Sequence, residues 1–176
     1  ICNRLHIPYA TQEIEFETKH YILDKDSVYS NFFQFITTNE DIDDIQKKYL
    51  FEACDCANNH DLLAASVMLG ASAELLLIHL CEAYEKYVDN HKNSQDEVDA
   101  YRRKVINAKC ANDRLTEFLK RANSNATVFN SLGLENLQLA FSFLDIIRKV
   151  RNDGGHPTGN SVPEEEFKVL IGNYQH

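Results

Sequence analysis

The chain has 176 residues, 44% of them hydrophobic, which fits one folded domain and is too apolar for a disordered chain. Its formal net charge of −9 excludes a surface that is basic throughout, so any contact with RNA must rely on a local site. No clean apolar run reaches about 18 residues and no signal peptide is visible, so we expect neither a membrane span nor secretion.

The cysteines predict a reducing, cytoplasmic environment. They are odd in number and form no Cys-x-x-Cys pair, so free thiols are the simplest account. Cys54, Cys56 and His60 suggest a metal, but residues two apart on a helix point to opposite sides. We therefore predict buried small side chains there, and no metal or cofactor. Because the chain starts at Ile1 and its only methionine is Met68, we expect it to belong to a longer polypeptide.

Residues 1–36 are predicted to be an N-terminal extension, or the end of a preceding domain, packed on the main body. Ile14 and Phe16 alternate with acids, a period typical of a strand. The aromatic residues between positions 29 and 33 recur at helical spacing instead. An aromatic stripe of this kind is more typical of a core or a domain contact than of a ligand site.

Residues 37–176 are predicted to form an all-α bundle of four to five helices. Thr37 and Glu40 have the spacing of a capping box, which predicts that the first helix of the bundle starts there. A tight joint follows at residues 58–61. The second helix, about 61–90, is apolar nearly all round, which favours a buried, central position.

The remaining helices follow in order. A third helical region runs from about 94 to 121, with a joint near Cys110. Residues 123–131 are predicted to be a loop. The fourth helix runs from about 134 to 153, and the last helix starts near Pro163, because proline suits a first helical turn.

The fourth helix ends in RKVRNDGGHPTG, which has two interpretations. Gly154 is typical of a helix C-terminus, where Arg and His also suit the helix dipole. Arg151, however, lies about 20° from the direction of Leu144, so it continues the apolar stripe of the helix. A guanidinium on that stripe needs a partner, and Glu74, the lone carboxylate amid the apolar second helix, is the natural candidate. Alternatively, Arg151 extends from the helix end into solvent.

Two segments together resemble the HEPN superfamily. The first is CANNHDLLAASVMLGASAELLL, and the second, about 70 residues later, is IIRKVRNDGGHP. They are similar to the branch whose second long helix has a small-residue run ending in Glu and whose motif reads Arg-Asn-Asp-x-x-His-Pro. The resemblance covers residues 40–175. In many relatives an arginine lies about one turn before the helical glutamate, where this chain has Gly70.

The resemblance implies a HEPN-like up-and-down bundle and a metal-independent endoribonuclease that cleaves RNA through attack by a 2′-OH. Carried over to this chain, His156 is the general acid/base and Arg151 stabilises the phosphoryl transition state. Asn152 positions the phosphate or His156, and Glu74 and Asp153 are supporting residues. These residue types suit the reaction, because histidine transfers protons near neutral pH and the arginine fork binds phosphate oxygens.

The resemblance also implies a homodimer formed through the helix that carries Arg151. That helix has apolar residues directed away from Leu144, which must be buried against another helix or a second chain: Leu139, Phe143, Ile146 and Val150.

Three functions stay open. The chain is an endoribonuclease domain of a toxin–antitoxin or antiviral defence protein, a non-catalytic HEPN-like module that dimerises or binds a nucleotide or partner, or a helical scaffold. The expected partners are RNA or a nucleotide, a second copy, and other domains of the same polypeptide, but not a membrane.

Overall fold

The computed structural model describes residues 28–91, 94–134, 136–155 and 162–175, and every regular element among them is helical. The elements are α1 (Val28–Thr38), α2 (Asp44–Asn58), α3 (Leu62–His91), α4 (Gln95–Tyr101), a π-helical segment (Arg102–Ile106), α5 (Ala111–Ser124), α6 (Ala126–Ser131), α7 (Leu137–Gly155) and α8 (Glu164–Tyr174). The all-α prediction is therefore confirmed over the described residues. The strand-like period at Ile14 and Phe16 lies outside them.

The 30-residue α3 forms the centre of the bundle, as its apolar sequence predicts. It packs against α2, α7 and α8, and small buried residues such as Ala65, Gly70 and Ala73 let these neighbours approach closely. By length and composition alone, α3 is also the one helix among the described residues that is long and apolar enough to cross a membrane. A core helix of a soluble bundle meets the same criterion, and 39% of its most apolar window is buried here.

The first predicted helix start is wrong. Thr37 lies in the last turn of α1, where its hydroxyl donates to the carbonyl of Phe33 (2.8 Å) and so cannot cap a following helix. The cap of α2 is Asp43, whose Oδ1 accepts two backbone N–H groups of the first turn (2.8 and 3.0 Å). The predicted boundary between residues 36 and 37 therefore falls within α1, whose buried face joins the common core through Tyr29, Phe32 and Ile36.

The last helix begins where it was predicted, directly after Pro163. It is fixed to the bundle by the buried hydroxyl of Tyr174, which accepts a hydrogen bond from Nε2 of Gln46 (2.6 Å) and shares another with Oγ of Ser72 (2.7 Å). Burial raises the pKa of Tyr174 above its ordinary value, although both hydrogen bonds oppose that effect. One phenol thus joins α8 to both α2 and α3.

The third helical region is jointed, as predicted. The π-helical segment and a break at residues 107–110 separate α4 from α5. Tyr101 anchors this joint to the bundle, because its ring is buried and its hydroxyl donates to the carbonyl of Cys81 on α3 (2.9 Å).

The loop predicted at residues 123–131 is wrong. α5 extends into it, and α6 occupies most of the rest. The reason is Phe129, which is only 2% exposed and packs against the rings of Tyr84 and Phe118. Burial of this ring outweighs the turn-like local composition of asparagine and serine.

Candidate functional site

Helix α7 carries Arg151 into contact with Glu74. The helix begins after Asn136, whose Oδ1 accepts the N–H of Leu139 (3.0 Å), and it turns Leu144 and its neighbours into the core. Two turns beyond Leu144, Nη1 of Arg151 donates to Oε2 of Glu74. The predicted ion pair is confirmed. The side chains are 36% and 28% exposed, so the pair lies at the edge of the bundle and not within its core.

Gly70 makes this pair sterically possible. It lies one turn before Glu74 on α3, and the aliphatic part of Arg151 lies directly over it. A Cβ at position 70 would be 2.5 Å from the Cβ of Arg151 and 2.7 Å from its Cδ. The space beside position 70 is therefore filled by the stem of Arg151.

A second cluster of charges lies one turn earlier on α7. Arg148 donates to Oδ1 of Asp145 (2.6 and 3.1 Å), and Nζ of Lys149 lies 2.7 Å from Oδ2 of the same carboxylate. Burial alone would raise the pKa of Asp145, but the hydrogen bonds from Lys149 and Arg148 bring it below its ordinary value. Arg148 also donates to Oδ1 of Asn112 on α5 (3.2 Å), a contact that sequence reasoning missed.

The other predicted site residues are less constrained. Asn152 and Asp153 are exposed on the last turns of α7, facing solvent. α7 extends to Gly155, two residues beyond the predicted end near Asp153. His156, the predicted acid/base, lies outside the described residues.

Metal-ligating side chains do not converge in the described part of the chain, where no group of three His, Cys, Asp or Glu could hold an ion. Cys54 is buried in the core, and burial raises the pKa of its thiol to about 12. Cys56, two residues further along the same helix and therefore on nearly its opposite side, is only partly buried.

α7 leaves apolar surface exposed among the described residues. Of the four residues predicted to need cover, Phe143 and Val150 pack partly against the core of their own chain. Leu139 and Ile146 are 68% and 46% exposed. They line an open groove of about 910 Å³ between α3 and α7, together with Leu76, Leu80, Phe143 and Tyr174.

Comparisons with protein-family models, with curated proteins and with solved structures each found no match. Over the described residues, the chain is an all-α bundle with an Arg151–Glu74 pair, about one-third exposed, near the end of α7.

Proposed function

We propose that this chain is a HEPN-like domain that acts as a metal-independent endoribonuclease in a toxin or antiviral defence protein. The observation that carries the proposal is the position of Arg151, a half-exposed guanidinium tethered by Glu74 directly before Asn152 and Asp153. A guanidinium has five N–H donors, and Glu74 accepts from one of its nitrogens. The remaining donors suit a phosphate at the surface.

The proposed reaction is transfer within the RNA strand. A ribose 2′-OH loses its proton to a base and attacks the adjacent phosphorus, the bond to the 5′ oxygen breaks, and that oxygen takes a proton from an acid. The products are a 2′,3′-cyclic phosphate and a 5′-OH end. Two copies of His156, facing one cleft in a dimer, supply base and acid, while Arg151 stabilises the negative charge that develops on the phosphoryl oxygens.

The proposed dimer forms through α7. Leu139 and Ile146 give this helix an apolar surface on the turns that precede Arg151, and the groove beside them offers space for the same residues of a second copy. A two-fold axis would bring both copies of the RNDGGHP motif to one cleft. Ile146→Glu should then give monomers and abolish cleavage together. Val169→Glu, at an exposed apolar site on α8, is the control and should do neither.

The second candidate is a non-catalytic HEPN-like module that dimerises or binds a nucleotide or another partner. The pairing of Arg151 with a carboxylate favours it, because Glu74 balances the charge that a phosphate would otherwise meet. The exposed apolar residues of α7 serve this function equally well.

Cleavage of single-stranded RNA in EDTA separates the two candidates. His156→Ala and Arg151→Ala should each lower the cleavage rate by about 100-fold or more, as expected for loss of an acid/base or of a transition-state charge. The matched controls are His91→Ala and Lys48→Ala, two exposed sites on α3 and α2, which should cleave at the wild-type rate. Absence of cleavage by the wild-type protein across several RNAs would overturn the nuclease in favour of the binding module.

A further inference from the structure

Basic residues are distributed unevenly along this acidic chain. Residues 102–121, called here the basic hairpin, contain seven Lys and Arg residues against two carboxylates, a local charge of +5. Since the whole chain carries −9, the rest of it carries −14. The net charge of the basic hairpin is therefore positive, whereas the net charge of the rest of the chain is negative.

The fold brings these charges together. The π-helical segment and α5 lie side by side and antiparallel, since Arg121 lies over the ring of Tyr101 (5.9 Å) and Lys104 lies near Glu117. A hydrogen bond from Lys120 is the main reason that the pKa of Glu117 is lowered, and Lys104 and Arg121 lower it further. The cations of both helices therefore act on the same stretch of surface.

Most of this charge is not neutralised within the described residues. Arg102 pairs with Glu85 of α3, and Lys120 with Glu117 (2.5 Å). In the described part of the chain, the side chains of four further cations make no ion pair or hydrogen bond: Arg103, Lys104, Lys109 and Arg114. The first three of these are exposed to solvent.

The hairpin also meets the candidate site. Asn112, at the start of α5 and three residues after Lys109, accepts the hydrogen bond from Arg148. Arg148 precedes Arg151 by three residues on α7, a rise of about 4.5 Å along the helix. Ala111, Arg148 and Glu74 line one small crevice. The end of the hairpin formed by residues 107–112 therefore lies within about one helical turn of the Arg151–Glu74 pair.

We infer that the basic hairpin is the surface that holds the backbone of a single-stranded RNA and leads it to the Arg151 motif, an inference that rests on the function proposed above. α5 has 14 residues and is about 21 Å long, which is long enough to contact several successive phosphates. Phe118 is buried and no aromatic ring of the hairpin is exposed in the described structure, so the contacts are to phosphates and independent of base sequence.

A nucleic-acid backbone fits this surface better than a membrane does. A helix that binds a bilayer presents an apolar face beside its cations. In the basic hairpin the large apolar residues Val105, Leu115 and Phe118 are turned into the core. An anionic lipid surface would meet charge here without apolar contact.

The test is the triple variant R103Q/K104Q/K109Q, measured by fluorescence anisotropy with a labelled single-stranded RNA of mixed sequence. Its matched control is K47Q/K48Q/K168Q, which removes the same charge from α2 and α8. Both are prepared with His156→Ala so that binding is read without cleavage. The hairpin variant should lose about tenfold or more in affinity, and its plot of log K against log salt should be shallower by about 2, since each single-strand phosphate contact contributes about 0.7. The control should keep the slope of the His156→Ala parent.

A cross-link locates the RNA independently. Cys110 follows Lys109 and is exposed, whereas Cys54 and Cys81 are buried. A thiol-directed photocrosslinker on Cys110, with Cys2 and Cys56 replaced by serine, should join the protein to RNA, and unlabelled RNA should compete.

The outcomes separate this inference from the nuclease proposal. Equal affinity and slope in both triple variants, no RNA binding at low salt, or tighter binding to phosphatidylserine vesicles or polyglutamate than to RNA would each overturn the inference. Cleavage by the wild type that is unchanged in R103Q/K104Q/K109Q with His156 retained would overturn it while leaving the nuclease in place. RNA binding that depends on the hairpin, in a wild type that does not cleave, would support the inference and refute the nuclease.

Discussion

Replacing Gly70 by alanine tests whether α3 and α7 approach as closely as the Glu74–Arg151 pair requires. The new Cβ would lie 2.5 Å from the Cβ of Arg151 and 2.7 and 2.8 Å from its Cδ and Cγ. Since carbon atoms in contact normally lie about 3.5–4.0 Å apart, α7 must move outward. Overpacking of this kind costs about 1–3 kcal/mol, whereas alanine gains about 0.8–1.0 kcal/mol over glycine within a helix. The expected net effect is a loss of about 1 kcal/mol in the free energy of unfolding.

Urea and thermal unfolding at fixed protein concentration measure this change. A loss of about 1 kcal/mol corresponds to a fall of about 2–4 °C in Tm for a chain of this size. The matched control is Gly172→Ala on α8, where a Cβ would meet no atom within 4 Å. That substitution should stabilise the protein by about 0.5–1 kcal/mol, because only the gain in helix propensity applies.

The close packing of α7 on α3 predicts opposite effects of the two alanine variants on the free energy of unfolding. If Gly70→Ala stabilised the protein as much as Gly172→Ala, the close packing of Arg151 on α3 would be refuted. Arg151→Ala supplies a further check, since it removes Cγ and Cδ but keeps Cβ. In that background Gly70→Ala should cost less than in the wild type, but it should still cost more than Gly172→Ala.

Three further predictions concern stability. Glu74→Ala should lower the free energy of unfolding, measured in urea, by about 1 kcal/mol, because both partners of the ion pair are about one-third exposed. Loss of one partner of a fully buried pair costs roughly 3–5 kcal/mol, and a measured loss of that size would contradict the position of the pair at the edge of the bundle. Tyr174→Phe should cost about 1–3 kcal/mol, because Gln46 loses its buried partner, and a neutral effect would count against the network. The free energy of unfolding should fall as pH rises above 9, because burial raises the pKa of Cys54 and Cys81 from 9.0 to about 12 and unfolding therefore releases their protons. Replacing both cysteines by alanine should make the free energy of unfolding less dependent on pH between pH 9 and 10.

The long elements could be predicted from the sequence because their patterns are strong. α3 is apolar on nearly every side, and the stripe on α7 reaches Arg151, so the partner of that arginine followed from the cost of an unpaired charge. The exposure of the pair could not be predicted, because it depends on where α7 crosses α3. In the sequence, Gly70 is only a small residue on the apolar stripe of α3; its contact with the stem of Arg151 requires coordinates.

Local signals failed where tertiary contacts outweighed them. Thr37 and Glu40 have capping-box spacing, but the Thr37 hydroxyl bonds back to its own helix and Asp43 caps the next one. Residues 123–131 have the composition of a loop, but Phe129 draws them into a helix. The second error arises because side-chain burial contributes more than local propensity, and the first because Asp43 is the better cap.

The total charge of −9 is a poor guide to phosphate binding at Arg151, because it sums charges from parts of the surface that do not contact the same ligand. A phosphate at Arg151 experiences the groups within about one Debye length, roughly 10 Å at 0.1 M salt. Near Arg151, Glu74 and Asp153 are negative and Arg148 is paired with Asp145, but the end of the basic hairpin with Lys109 lies on the Asn112 side of Arg148. The carboxylate of Glu74 therefore fixes the orientation of the guanidinium, while the neighbouring cations keep this end of α7 more positive than the acidic composition of the chain implies. An arginine held in one orientation loses less conformational entropy when it binds a phosphate, so the same ion pair that stabilises the bundle also prepares its proposed site.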